Sequence, residues 1–305
     1  MLRPFALHRP ASAEEACGLL SRLGEDAVPY AGGTELLLLM KEGLLRPRHL
    51  VDVKRIPGLD AIVDGGADVT IGAVVTHRAV ERSAAVRARC PVLASVARHV
   101  ANIRVRNVGT VGGNLAFADP HSDLATLFLA LDARVQLASP RGRRELSLDD
   151  FVRGPWETAR AADELLTSVT LTPWPERTAA AYVKFGVHER PTLGVAVALR
   201  LEPAANGAAS VAEARLAIGC VDPRPARVPA AEARLRGCPV ADLEDSVAEV
   251  GARAAASVDP ADDLYGSADY KREMVAVFTR RALRAAAARA RGVEPVARYQ
   301  YAVVA

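Results

Sequence analysis

Thr110-Val111-Gly112-Gly113-Asn114-Leu115-Ala116-Phe117-Ala118-Asp119-Pro120-His121-Ser122-Asp123 is the stretch on which the reading of this chain turns. It joins a glycine pair to an Asp-Pro and then to a second carboxylate. A shorter counterpart, Ala31-Gly32-Gly33-Thr34-Glu35, lies upstream. A Gly-Gly pair reaches backbone conformations that other residues avoid and lets a ligand approach the main chain closely. Each pair here is followed by a polar residue and a helical run. Backbone N–H groups at such a loop–helix junction suit a phosphate. Two loops of this kind would hold the two phosphates of a dinucleotide from two sides, although each pair alone reads equally as an ordinary tight turn. Neither G-x-G-x-x-G nor G-x-x-x-x-G-K-[ST] is present, which removes the Rossmann fingerprint and the P-loop.

The 305 residues suffice for two domains with their own cores. Half are hydrophobic, a quarter are charged and the net charge is +3, the balance of a globular chain without a dominant basic face for nucleic acid. The cysteines, Cys17, Cys90, Cys220 and Cys238, are far apart. No pair has C-x-x-C spacing, so no zinc ribbon or iron–sulfur cluster is encoded, and free thiols in a reducing compartment are expected. The start carries Arg3, His8 and Arg9 without an apolar stretch, and the run Leu36 to Met40 is too short to span a bilayer. A cytoplasmic location without membrane insertion is expected.

Working outward, Ser12 caps a helix that runs to about Leu23 and stops at Gly24. Ala27 to Ala31 reads as a strand, Thr34 as the N-cap of a helix over Leu36 to Lys41, and the four leucines of that helix as core. Strands follow at His49 to Val53 and Val69 to Ala73. Thr76 caps a helix near Ala79, and Pro91 opens another. Arg104 to Val108 leads into the second glycine loop, and Asp119-Pro120 fits N-cap and N1 of the next helix. Val135 to Ala138 and Glu145 to Leu148 pair across Pro140-Arg141-Gly142, with Leu165 to Leu171 as a further strand. Pro173-Trp174-Pro175-Glu176 reads as a linker. Beyond it come three strand-like runs, Ala181 to Val187, Val195 to Leu201 and Ala214 to Val221, with a turn at Asn206-Gly207. Two alanine-rich helices, near Leu243 to Ala256 and Ala268 to Ala290, close the chain. His121 and His188 read as solvated or core histidines, and the run Arg141, Arg143, Arg144 as a solvated turn.

Together, Ala31-Gly32-Gly33-Thr34-Glu35 and Thr110-Val111-Gly112-Gly113-Asn114 running into Asp119-Pro120 and Ser122-Asp123 resemble the FAD-binding medium subunit of molybdenum hydroxylases. Tyr182-Val183-Lys184 and Tyr270-Lys271-Arg272 also sit where that family has similar residues, and the resemblance covers nearly the whole chain. It implies an α+β fold. A vanillyl-alcohol-oxidase-type (PCMH-type) FAD-binding domain over residues 1–175, with subdomains of about 1–56 and 57–175, would precede a C-terminal domain over 176–305 with a three-stranded antiparallel sheet and helices.

The resemblance also implies roles. Ala31, Gly32, Gly33, Thr34 and Glu35 would contact the FAD pyrophosphate, and Thr110, Gly112, Gly113 and Asn114 would complete the grip. Asp123 would reach the adenosine half, Leu166 would lie beside the isoalloxazine, and Lys184 would be a basic residue near the cofactor. No catalytic residue and no metal ligand is assigned. Two [2Fe-2S] clusters would reside on a small partner subunit and a molybdopterin cofactor on a large one, in a dimer of heterotrimers. The chain would carry electrons through FAD to an outside acceptor, with the substrate chosen by the large subunit. The segment Lys184 to Gly194 departs from the family's usual run, which leaves the acceptor open. A self-sufficient FAD-dependent reductase and a non-enzymatic nucleotide-binding assembly protein are the alternative readings.

Overall fold

The computed structural model describes residues 2–174, 178–186, 190–203, 209–295 and 302–305. The Asn206-Gly207 turn, His188 and the Pro175-Glu176 part of the expected linker lie outside these residues. The chain packs as two units. One holds the residues up to Asp119 together with Asp132–Thr172, and the other holds Pro120–Leu131 together with the residues from Pro173 on.

The first unit contains two sheets. Strands β1 (Ala6–His8), β2 (Ala27–Tyr30) and β3 (His49–Asp52) form a parallel sheet in the order β1-β3-β2. Parallel neighbours need crossover connections. Helix α1 (Ala13–Leu23) leads from β1 to β2, and α2 (Leu36–Lys41) lies between β2 and β3. The Ser12 hydroxyl accepts from the Glu15 N–H at 3.1 Å, so α1 starts at the expected cap, and it ends at Gly24 with φ 57°. Its buried residues Ala13, Ala16, Cys17 and Leu20 recur at helical spacing and face the sheet.

The second sheet is antiparallel, with the order β4-β5-β10-β6-β7 over β4 (Ile62–Asp64), β5 (Val69–Gly72), β6 (Arg134–Ser139), β7 (Gly142–Ser147) and β10 (Leu165–Leu171). Between β7 and β10 lie α9 (Leu148–Phe151) and the small hairpin β8 (Val152–Gly154) and β9 (Glu157–Thr158). Five short helices follow β5: α3 (His77–Arg82), α4 (Ala84–Arg89), α5 (Pro91–His99), α6 (Ile103–Val108) and α7 (Val111–Phe117). Cys17, Leu20, Val51, Val53, Ile56, Val74, Ala138 and Leu165 form one buried cluster, so the two sheets share a core.

In the second unit, β11 (Thr178–Phe185), β12 (Leu193–Pro203) and β13 (Ala209–Gly219) form the expected three-stranded antiparallel meander. The short strands β14 (Ala226–Arg227) and β15 (Ala302–Val304) extend it at its two edges. Along these strands one face carries Val183, Val195, Val197, Leu199 and Leu216. They pack with Val247, Val250, Phe278 and Ala282 of α11 (Leu243–Ala256) and α12 (Ala268–Ala290), and α10 (Pro229–Leu235) joins the same cluster.

The opposite face receives α8 (Asp123–Ala130). A single cut at residue 175 assigns this helix to the FAD-binding domain, whereas it packs with the second unit. The physical reason lies in its composition. All eight of its residues are buried, so it needs cover on every side, and β12 and β13 supply part of that cover.

Four local expectations are corrected. Thr34 is not a cap: Glu35 occupies the N-cap position of α2 and makes no side-chain capping bond. The leucines of α2 are not core, since only Met40 is buried and Leu38 is 49% exposed. The second glycine pair lies in helix α7 rather than in a loop, and the stretch that leads to it is helix α6, capped by Asn102. Finally, α8 starts at Ser122, whose hydroxyl accepts from the Ala125 N–H, and not at Asp119-Pro120.

Candidate functional site

The first glycine pair turns the chain between β2 and α2. Gly33 has φ 73°, a left-handed conformation that glycine adopts without steric cost. A Cβ on Gly33 would also lie 2.5 Å from the ring edge of Tyr30. Gly32 is required for another reason: a Cβ there would lie 2.2 Å from the Val108 carbonyl oxygen and 2.9 Å from Gly109 Cα. The main chain at the end of α6 therefore backs directly onto the first pair. Among the described residues, the N–H groups of Gly32, Gly33 and Thr34 donate to no other group of the chain. All three residues are partly exposed. Successive free N–H groups at a tight turn form a concave donor set for an anion. A diphosphate fits this set because it brings charged acceptors and no donors of its own.

The second pair is built differently. Gly112 and Gly113 lie in the first turn of α7, where neither has a positive φ. Every N–H of that turn is engaged within the chain. Val111 donates to Val75 O at 2.9 Å, Gly112 to Ala73 O at 2.9 Å, Gly113 to the Thr110 hydroxyl at 3.1 Å and Asn114 to Thr110 O at 2.9 Å. A Cβ on Gly112 would come within 2.5 Å of Ala73 Cβ, so this glycine serves close packing of α7 on the strand end. The pair expected to be a second phosphate loop is thus a capped helix start that carries Gly109 and Val108 against Gly32. Sequence reasoning missed the buried His77 beneath this junction. Its N–H donates to Gly109 O at 3.0 Å, and its ring packs against Gly109. Burial, reinforced by the Arg106 charge, lowers its pKa from 6.5 to about 4.

Leu166 is buried in β10 opposite Leu137 of β6, beside the bulge at Thr167. It is an interior sheet residue, and β10 packs against α7.

Asp123 and Lys184 meet in the second unit. Tyr182 and Lys184 share one face of β11, two residues apart. The Asp123 carboxylate accepts from the Tyr182 hydroxyl at 2.9 Å through Oδ1 and from Lys184 Nζ at 2.7 Å through Oδ2. All three residues are buried. Lys184 pairs in register with Gly194, and Gly194 with Gly219. A Cβ on Gly194 would lie 2.2 Å from the Tyr182 oxygen, and one on Gly219 would lie 1.9 Å from Thr126 Oγ1. Glycine in a strand interior costs about 0.5–1 kcal/mol relative to alanine. Here two of them open the sheet for the tyrosine and for α8. Burial first, and the Asp123 charge second, raise the Tyr182 pKa well above its ordinary range, so it stays a neutral donor.

His121 Nδ1 lies 2.8 Å from Pro191 O, and its ring leans on Tyr265 at 4.4 Å, so it is satisfied within the fold as the residue reading expected. Lys271, 1% exposed, ties the start of α12 to Asp263 at 2.6 Å and to Ala261 O at 2.7 Å. Among the described residues no group of three or more His, Cys, Asp or Glu is placed to hold a metal ion. No helix among them is long and apolar enough to cross a membrane.

Residues 3–174 match the family described as FAD binding domain in molybdopterin dehydrogenase, and residues 182–286 match the CO dehydrogenase flavoprotein C-terminal domain. The carbon monoxide dehydrogenase medium chain of Hydrogenophaga pseudoflava is 36% identical over 287 residues, covering 93% of this chain and 98% of that one. The nicotine 6-hydroxylase medium subunit of Paenarthrobacter nicotinovorans is 35% identical and covers 92% of this chain and 96% of that one. Among solved structures, carbon monoxide dehydrogenase from H. pseudoflava superposes with a TM-score of 0.89 at 37% identity, over 95% of this chain and 99% of that one. With this fold, these two matched domains and this coverage, the chain belongs to the family of FAD-binding medium subunits of molybdenum hydroxylases.

Proposed function

We propose that this chain is the FAD-holding electron-transfer subunit of a multi-subunit molybdenum hydroxylase. Its partners would be a small subunit with [2Fe-2S] clusters and a large subunit with molybdopterin, assembled as a dimer of heterotrimers in the cytoplasm. The observation that carries the cofactor reading is the unengaged N–H set of Gly32, Gly33 and Thr34 on a turn braced by Val108 and Gly109. When bound, FAD supplies the exchange between one- and two-electron steps. The chain's own residues bind and orient it, and no side chain is assigned to proton transfer on the organic substrate.

Within this reading Ala31, Gly32, Gly33, Thr34 and Glu35 take the diphosphate. Thr110, Gly112, Gly113 and Asn114 keep that turn in place and line it, and Leu166 contributes apolar surface. Asp123 and Lys184 supply polar contacts to the cofactor. The two relatives of nearly equal identity carry names for different substrates, carbon monoxide and nicotine, which is the pattern expected if substrate choice lies on another subunit.

The test is an absorbance spectrum of the purified chain followed by heat release and identification of the flavin. Flavin bands and released FAD support the reading. A colourless chain that also refuses added FAD overturns it. Co-expression with the neighbouring subunits and sizing of the product tests the assembly, and a chain that remains alone with full turnover refutes the heteromeric part.

A further inference from the structure

We propose that Tyr182 is a positioning residue for the cofactor: with Lys184 at the other oxygen, its hydroxyl holds the Asp123 carboxylate in the one orientation in which Asp123 serves the adenosine half of the dinucleotide. The proposal rests on the FAD reading above and adds a residue to which that reading assigns no role.

The geometry argues for it in three ways. First, the two donors reach different oxygens of the same carboxylate, Tyr182 at Oδ1 and Lys184 at Oδ2. A carboxylate held at both oxygens cannot rotate, so the direction of its acceptor lone pairs is set before any ligand arrives. Ribose hydroxyls are donors, and a preset carboxylate is the partner that reads them. Second, the tyrosine reaches Asp123 through space that two glycines leave open. Gly194 leaves room for the phenol oxygen, and Gly219 leaves room for Thr126 on the helix that carries Asp123. A lysine–carboxylate pair alone would not need the opening at Gly194. Third, an ion pair this deeply buried is a weak source of stability, because desolvation opposes the attraction. A third, neutral donor directed at the same carboxylate is better accounted for by orientation. Burial and the neighbouring carboxylate keep Tyr182 protonated, so the donor is present at any working pH.

The test uses the whole chain stripped of flavin, with FAD and FMN titrated separately. FMN lacks the adenosine half, so it reports general damage to the fold. Tyr182→Phe is expected to weaken FAD by about ten- to a hundredfold, the effect of losing one hydrogen bond to a charged group, while FMN affinity changes by less than about twofold. The double variant Tyr182→Phe/Asp123→Asn is expected to bind FAD no worse than Asp123→Asn alone, since the tyrosine acts only through the aspartate. Equal losses for FAD and FMN, or an unchanged FAD affinity, overturn the proposal. If Tyr182→Phe fails to fold, Asp123→Asn alone decides: an unchanged ratio of FAD to FMN affinity overturns it. A wild-type chain that binds no FAD removes the cofactor reading itself, an outcome distinct from a wild type that binds FAD and a tyrosine variant that binds it equally.

Discussion

Four single residues state the chemistry of the first unit most directly. Gly32 has the Val108 carbonyl where a side chain would go, and Gly33 has a left-handed φ. Gly32→Ala is expected to push the turn off its brace and lower flavin occupancy severely, read as the flavin-to-protein absorbance ratio after gel filtration. Full occupancy would show that the turn is not the diphosphate site. Gly112 meets backbone atoms of Ala73 instead, and Gly112→Ala is expected to overpack the α7 contact and cost about 1–3 kcal/mol in thermal unfolding. His77 supplies a pH signature. Burial holds it neutral with a pKa of about 4, while an unfolded histidine titrates near 6.5. The unfolded chain therefore binds more protons between these values, and stability falls as pH drops from about 6.5 towards 4. The shift corresponds to about 3 kcal/mol. His77→Phe is expected to flatten that part of a melting-temperature profile, and an unchanged slope would show that other groups carry it. His77 Nδ1 and Arg106 Nε have no hydrogen-bond partner among the described residues, which is consistent with a histidine that is costly to protonate.

At the scale of elements, the caps at Ser12 and Thr76 are legible in the sequence, whereas those of α2 and α8 and the burial of helices are not. Ser12 and Thr76 were read as caps, and both accept the bond that caps make. The glycine pair at 112–113 reads as a loop because Gly-Gly reaches backbone conformations that other residues avoid. Tertiary packing overrides that preference, since α7 approaches Ala73 too closely for any side chain at Gly112. Four leucines read as core, yet α2 is only six residues long and buries Met40 alone. Helix α8 depends on small residues opposite it. Gly219→Ala is expected to drive a methyl into Thr126 and destabilise by about 1–3 kcal/mol. Thr126→Ala in the same chain is expected to recover part of that loss, because the two positions share one space. Additive effects in a double-mutant cycle would show that α8 does not rest on this contact.

For the molecule as a whole, FAD binding and folding are linked. A ligand that binds only the folded chain stabilises it by about 2.7 kcal/mol at about a hundred times its dissociation constant. The chain stripped of flavin is expected to melt at a lower temperature than the same chain with FAD, and coincident melts would contradict a folded-state cofactor site. The run Arg141, Arg143, Arg144 is exposed to solvent, as expected, and its arginines make ion pairs within the same unit. Arg144 makes two 2.7 Å bonds to Glu164, and Arg141 pairs with Asp163. Pairs as exposed as Arg141–Asp163 add little to stability, so the shared core between the two sheets carries the first unit.

The sequence by itself determined the order of the longer elements, the caps at Ser12 and Thr76, the strands β2, β3, β5, β6, β7 and β10 to β13, and the two glycine motifs that mark the family. These signals are local: a cap, an alternation or a turn is written within a few residues. Only the tertiary structure decided what the motifs do. The N–H groups of the first glycine pair are unengaged and those of the second are engaged, although the two pairs look alike in sequence. Asp123 lies 59 residues before Tyr182 in the chain yet accepts its hydroxyl, because α8 packs on a face thinned by Gly194 and Gly219. Whether a glycine frees a donor or makes room for a neighbour depends on what lies opposite it, and that neighbour comes from a distant part of the chain.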